Sequence, residues 1–140
     1  VADNDWPGWE ILTKTRGNRV DPVGEDIFCT NKALLPECID KGVANSILIK
    51  LNQIGTVSET METMKLARQN GYNCFVSHRS GETVDTFISD LTVGLNAGHI
   101  KTGSGCRGER IERFNQFLRI EKRLKGNSVF AGKKTFKRTY

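Results

Sequence analysis

Ser77-His78-Arg79-Ser80 puts two hydroxyls, an imidazole and a guanidinium into four consecutive residues. The tetrad follows an apolar, β-leaning run from Cys74 to Val76, and Gly81 comes next. Guanidinium forks and hydroxyls match phosphate oxygens, so this stretch suits an anionic ligand. Taken alone it could equally be a polar turn between a strand and a helix. Three other ionisable residues, Glu25, Lys50 and Lys101, also end runs that read as strands. From Glu25 through Lys50 and His78 to Lys101 the steps are 25, 28 and 23 residues. Parallel βα folds place their active sites at the carboxyl ends of the strands. A charge or imidazole at four successive strand ends predicts convergence on one site.

The elements that must position these groups alternate. Asp5-Trp6-Pro7 opens a helix, with Asp5 as cap and Pro in the first turn. Trp6, Trp9, Ile11 and Leu12 give it an apolar side, and Gly17-Asn18 stops it. Residues 20–26 form a weak strand, because Asp21-Pro22 suits a sheet interior poorly. Thr30-Asn31 caps a helix that runs to about Lys41 and ends at Gly42. Residues 44–50 are a buried strand with Ile47-Leu48-Ile49 at its centre, and residues 51–55 are a loop. Residues 56–70 read as an amphipathic helix with Met61, Met64, Leu66 and Ala67 at helical spacing, so both Met are expected in the core. A strand at 73–76 leads into the tetrad. Thr83 is the expected cap of a helix at 84–97. Residues 98–101 form a short strand, and Thr102-Gly103-Ser104-Gly105 a glycine-rich loop. The last helix, 108–124, is expected to bury Ile111, Phe114, Phe117, Leu118 and Ile120, with its arginines around the rest. Residues 125–140 form a basic tail without periodicity, set apart from a domain covering 1–124.

This order, a helix and then strand–helix four times, is an α/β pattern with parallel strands. Four strands cannot close the eight-stranded barrel, and the first and last would expose parallel edges. The chain therefore reads as about half of a βα barrel.

Composition narrows the function classes. A length of 140 residues, 37% hydrophobic and 26% charged, fits one globular domain or a piece of a larger one. No apolar run approaches the roughly 18–20 residues of a membrane span. The start, Val1-Ala2-Asp3-Asn4-Asp5-Trp6, is not a signal peptide and reads as the interior of a longer chain. Cys29, Cys38, Cys74 and Cys106 show neither a paired motif nor zinc spacing, which points to reduced thiols and a cytoplasmic location. From Lys101 onward there are 12 Lys or Arg against 3 Glu, a net +9, while residues 1–100 carry a net −4. Little aromatic interleaving and no nucleic-acid motif accompany the basic segment, so a solvated helix and tail account for it better than nucleic-acid binding.

Four motifs carry a specific resemblance. Ser46-Ile47-Leu48-Ile49-Lys50-Leu51-Asn52-Gln53-Ile54-Gly55, Val76-Ser77-His78-Arg79-Ser80-Gly81-Glu82-Thr83, Gly98-His99-Ile100-Lys101-Thr102-Gly103 and Asn115-Gln116-Phe117-Leu118-Arg119-Ile120-Glu121 resemble enolase, in order and over nearly the whole chain. The resemblance is to the C-terminal third of that family. It implies the C-terminal half of an enolase-type (β/α)8 barrel and the dehydration of 2-phosphoglycerate to phosphoenolpyruvate in glycolysis. It further implies Mg²⁺ as cofactor, the remainder of an enolase chain as partner and a homodimer in the full-length form. By matching position, Lys50 resembles the general base, of the lysine kind found in enolase-superfamily sites. Lys101 resembles the second, substrate-contacting lysine, His78 the site histidine, and Arg79 and Ser80 the phosphate-binding pair. Glu25 stands where the family carries a metal-ligating Asp.

There are departures. Glu replaces Asp at position 25, which moves the oxygens by about a bond length where Mg²⁺ demands near-ideal geometry. Asp21-Pro22 interrupts a usually apolar strand, and Val84 replaces a usual Glu. The family's other metal ligands, its general acid and its N-terminal domain find no match here. The isolated chain is accordingly expected to be inactive. The alternative is a truncated, catalytically silent module that binds a protein or an anion through its basic segment.

Overall fold

A computed structural model describes residues 1–25, 27 and 34–136 of the chain. Helix α1 (Trp6–Arg16) starts as expected, with the Asp5 carboxylate accepting from Gly8 N at 3.0 Å. Trp6 and Trp9 pack against the core, but Ile11 is exposed. Asn45 Nδ2 donates to Gly17 O at 3.0 Å and Ala44 N to Thr13 Oγ1 at 2.8 Å, which fastens α1 beside the start of the next strands.

The sheet contains β1 (Val23–Gly24), β2 (Ser46–Ile49), β3 (Asn73–Ser77) and β4 (Gly98–Lys101). All neighbours are parallel, and strand order follows chain order without a reversal. This is the arrangement of consecutive strands in a barrel wall; a doubly wound sheet reverses its order partway. β1 is only two residues long. Pro22 beside it has no N–H to give, although its carbonyl accepts from Asn45 N at 3.2 Å. β2 is buried at every position, as a central parallel strand covered on both faces should be.

Helix α2 (Leu35–Asp40) ends at Gly42, which takes a φ of +63° that suits glycine. The expected cap Thr30-Asn31 lies outside the described residues. The segment after β2 is one turn of helix, α3 (Leu51–Ile54), where a loop was expected; Gly55, at φ +104°, closes it. In α4 (Val57–Gln69) the Thr56 hydroxyl caps Glu59 N at 3.2 Å. Its buried face is Thr60, Thr63, Met64 and Ala67, one helical stripe. Met61 lies one position off that stripe and is exposed, against expectation.

Helix α5 (Phe87–Gly94) begins three residues later than its apolar run predicts. Asp85 Oδ1 accepts from Phe87 N at 2.9 Å, while Thr83, the expected cap, accepts from Asp85 N at 3.3 Å. Side-chain bonds of this kind hold the backbone in turns and compete with helix. Residues 78–86 are thereby left as a loop.

Helix α6 (Gly108–Leu124) has the expected bounds and an unexpected orientation. Its one buried residue is Arg113. Phe117 and Ile120 are half-buried, whereas Ile111, Phe114 and Leu118 are exposed. The reason is polar docking on α5: Ser89 Oγ donates to Arg113 O at 3.1 Å, and Gln116 Nε2 reaches Asp90 Oδ1 at 2.9 Å. Part of the basic tail is regular, against expectation. Its 3₁₀ turn (Gly132–Thr135) returns to the amino end of the sheet, where Thr135 O accepts from Asn73 Nδ2 at 2.8 Å and from His99 Nε2 at 2.9 Å.

Candidate active site at the carboxyl end of the sheet

Parallel pairing brings the strand ends together. Gly24 pairs with Ile47, Ile49 with Val76, and Ser77 with Lys101, so Glu25, Lys50, His78 and Lys101 emerge at one end. Glu25 spans both lysines: Oε1 accepts from Lys50 Nζ, and Oε2 stands 3.7 Å from Lys101 Nζ. Lys50 is buried, while Lys101 and Glu25 keep about half of their side chains in water, at 52% and 44% exposed. The hydrogen bond from Lys50, reinforced by the charge of Lys101, holds the Glu25 carboxyl below the usual range against the opposing effect of partial desolvation.

His78 makes two bonds to one oxygen. Its backbone N–H donates to Lys101 O at 2.9 Å, and its ring Nδ1 lies 2.8 Å from the same oxygen. A carbonyl only accepts, so Nδ1 carries a proton there and Nε2 is the ring nitrogen left free of this contact. The imidazole is thus tied to the backbone that carries Lys101.

The loop residues form a second group. Arg79 and Ser80 are exposed, and neither side chain has a protein partner among the described residues. They line an open cavity of about 710 Å³ together with Asn52, Ser77, Thr83 and Arg113. Glu25, Lys50, His78 and Lys101 do not line that cavity. The carboxyl end therefore presents a lysine–carboxylate cluster and, lined by other residues, a cavity at the anion loop, with His78 next to Arg79 in sequence. Two contributors were missed from sequence. Glu82 accepts from Arg79 N with one oxygen and pairs with Arg113 Nη2 through the other. Arg113 read as one more solvated cation. The available signal was its spacing: Arg113, Gln116, Phe117 and Ile120 share one helical face.

The Mg²⁺ implied by the resemblance does not fit the described residues by themselves. Mg²⁺ takes about six oxygens in near-octahedral array. Here one carboxylate, Glu25, faces two ammonium groups, and no three His, Cys, Asp or Glu side chains come together among the described residues.

No described helix is long and apolar enough to cross a membrane. The family model for the enolase C-terminal TIM barrel domain matches residues 1–139. Enolase 1 of Chlorobaculum tepidum is 68% identical over 137 residues, which is 98% of this chain and 32% of that protein. The chain spans about a third of the length of this relative. With its parallel strands in barrel order and its ionisable strand ends, the chain belongs to the enolase family and corresponds to part of the C-terminal barrel domain.

Proposed function

We propose that this chain carries the lysine and phosphate-binding half of a site that dehydrates 2-phosphoglycerate to phosphoenolpyruvate. The observation that carries the reading is the convergence of Lys50 and Lys101 on one carboxylate at the carboxyl end of the sheet. In this reading Lys50 takes the proton from the carbon beside the substrate carboxylate. Lys101 offsets the charge that builds on that carboxylate. Arg79 and Ser80 hold the phosphate, and His78 turns its Nε2 side to the substrate. The proton needed to release the hydroxyl comes from a group outside the described residues. Lys50 accepts a proton only through an Nζ lone pair, so its ion pair with Glu25 must open in the working enzyme. Glu25 contributes at most one ligand to Mg²⁺, and no step is assigned to the metal. Three arginines of the basic segment pair internally, Arg107 with Glu109 at 2.8 Å, Arg119 with Glu112 at 3.0 Å, and Arg113 with Glu82.

The test joins this chain to the preceding part of Chlorobaculum tepidum Enolase 1, in place of that protein's own matching segment. With Mg²⁺ and 2-phosphoglycerate the chimera is expected to turn over, and the 140-residue chain alone to be inactive. A folded but inactive chimera would refute the reading. Turnover by the isolated chain, abolished by Lys50→Ala, would refute the half-site.

A further inference from the structure

Arg113 is the most deeply buried charged residue described, at 1% exposed against 7% for Lys50. It sits on α6, away from the strand ends, yet its Nη2 pairs with Glu82 and donates to Thr83 O at 3.3 Å. The other Glu82 oxygen accepts the backbone N–H of Arg79. One chain of contacts thus runs from the interior face of α6 to the backbone of the residue that presents its guanidinium to the cavity.

Stability alone does not explain this arrangement. Arg113 Nε and Nη1 are buried with no hydrogen-bond partner among the described residues. Orphaned buried donors disfavour folding, and apolar residues of similar volume often replace buried ion pairs without loss. The position is well placed for another task. Residues 78–86 form no regular element, so the loop needs an external anchor to keep Arg79 and Ser80 in one geometry. Pre-ordering a binding loop lowers the entropy that the ligand must otherwise offset.

We propose that Arg113, acting through Glu82, is a positioning residue that holds the Arg79–Ser80 loop in its phosphate-binding geometry. The proposal rests on the enolase reading above. It is tested in the same chimera with Arg113→Met, Arg113→Lys and Glu82→Gln. Arg113→Met should raise KM for 2-phosphoglycerate about tenfold while kcat stays within about threefold, because phosphate contacts act in ground and transition state alike. Arg113→Lys keeps a cation that can pair with Glu82 and should hold KM to within about threefold of the parent. A purely structural role would instead lower the melting temperature and leave KM of the folded fraction unchanged. Folded Arg113→Met with unchanged KM overturns the proposal, as does a fall in kcat alone. If Arg113→Met does not fold, Glu82→Gln decides: a KM rise of about threefold or more supports it, and an unchanged KM overturns it. An inactive parent chimera removes the enolase reading and this proposal together; an active parent with unmoved KM values removes only this one.

Discussion

The two histidines mark the two ends of the sheet, and their surroundings differ more than their hydrogen bonds do. His78, at the carboxyl end, gives Nδ1 to a backbone carbonyl at 2.8 Å; His99, near the amino end, gives Nε2 to another at 2.9 Å. His99 is also stacked on Phe75, with ring centroids 4.0 Å apart, and flanked by Phe136 at 5.1 Å. The same end holds Tyr72, whose hydroxyl donates to Val43 O at 2.7 Å, and Asn73, which is tied to Thr135. There the polar groups terminate on backbone and hold elements together. At the carboxyl end charged groups face one another or open space: Glu25 bridges two lysines, and Arg79 and Ser80 face a cavity. At the amino end the polar groups tie elements together; at the carboxyl end Glu25, Lys50, Lys101, Arg79 and Ser80 are left facing one another or a cavity.

The largest test of this contrast sets Lys50→Ala against His99→Ala in the chimera. If Lys50 is the base proposed above, its loss should cut turnover by about 10²–10⁴-fold. His99→Ala should lower the unfolding midpoint with turnover within about twofold. Comparable losses of turnover would break the contrast. Next is thiol reactivity. Cys106 is exposed in the loop after β4, and its thiol is pulled down by the Ser104 hydroxyl and by nearby arginines. Burial pushes the Cys38 thiol up to about 12. Iodoacetamide at neutral pH should label Cys106 more than about a hundredfold faster than Cys38, since the thiolate is the nucleophile. Equal rates, read by mass spectrometry, would show that the Cys38 side is not closed.

Tyr72→Phe probes the cohesive end. It leaves the Val43 carbonyl without this donor, and should cost about 1 kcal/mol in denaturant unfolding with no change in kcat/KM. The smallest effect is acid sensitivity at the Glu25 cluster. Glu25 binds its proton more weakly folded than unfolded, so its pairing stabilises fully above the ordinary glutamate pKa of about 4.3. That contribution is lost as pH falls through the lower folded value. Half-exposure keeps it small. The parent should therefore lose stability more steeply than Glu25→Gln below about pH 4.3, and parallel curves would contradict the pairing.

Much of the fold was legible where local signals agreed. The 98–101 strand and the 108–124 helix have the expected bounds, and Asp5 caps the first helix as read. The misplaced core residues share one cause. Met61, Ile111, Phe114 and Leu118 are apolar at helical spacing, but spacing defines a stripe without saying which stripe meets the sheet. In α6 that choice was made by Arg113 and Gln116, whose partners Glu82, Ser89 and Asp90 lie 24 to 31 residues away.

By itself, the sequence determined the βα order, the ionisable group at each strand end and the family. These depend on neighbours along the chain and on long ordered motifs. Only the tertiary structure decided that Glu25 spans two lysines, that the Arg79–Ser80 loop opens on a cavity, and that a buried arginine on the last helix reaches that loop. Ion pairs form between side chains that folding brings within a few ångströms, and no local periodicity records which distant charge will be the partner.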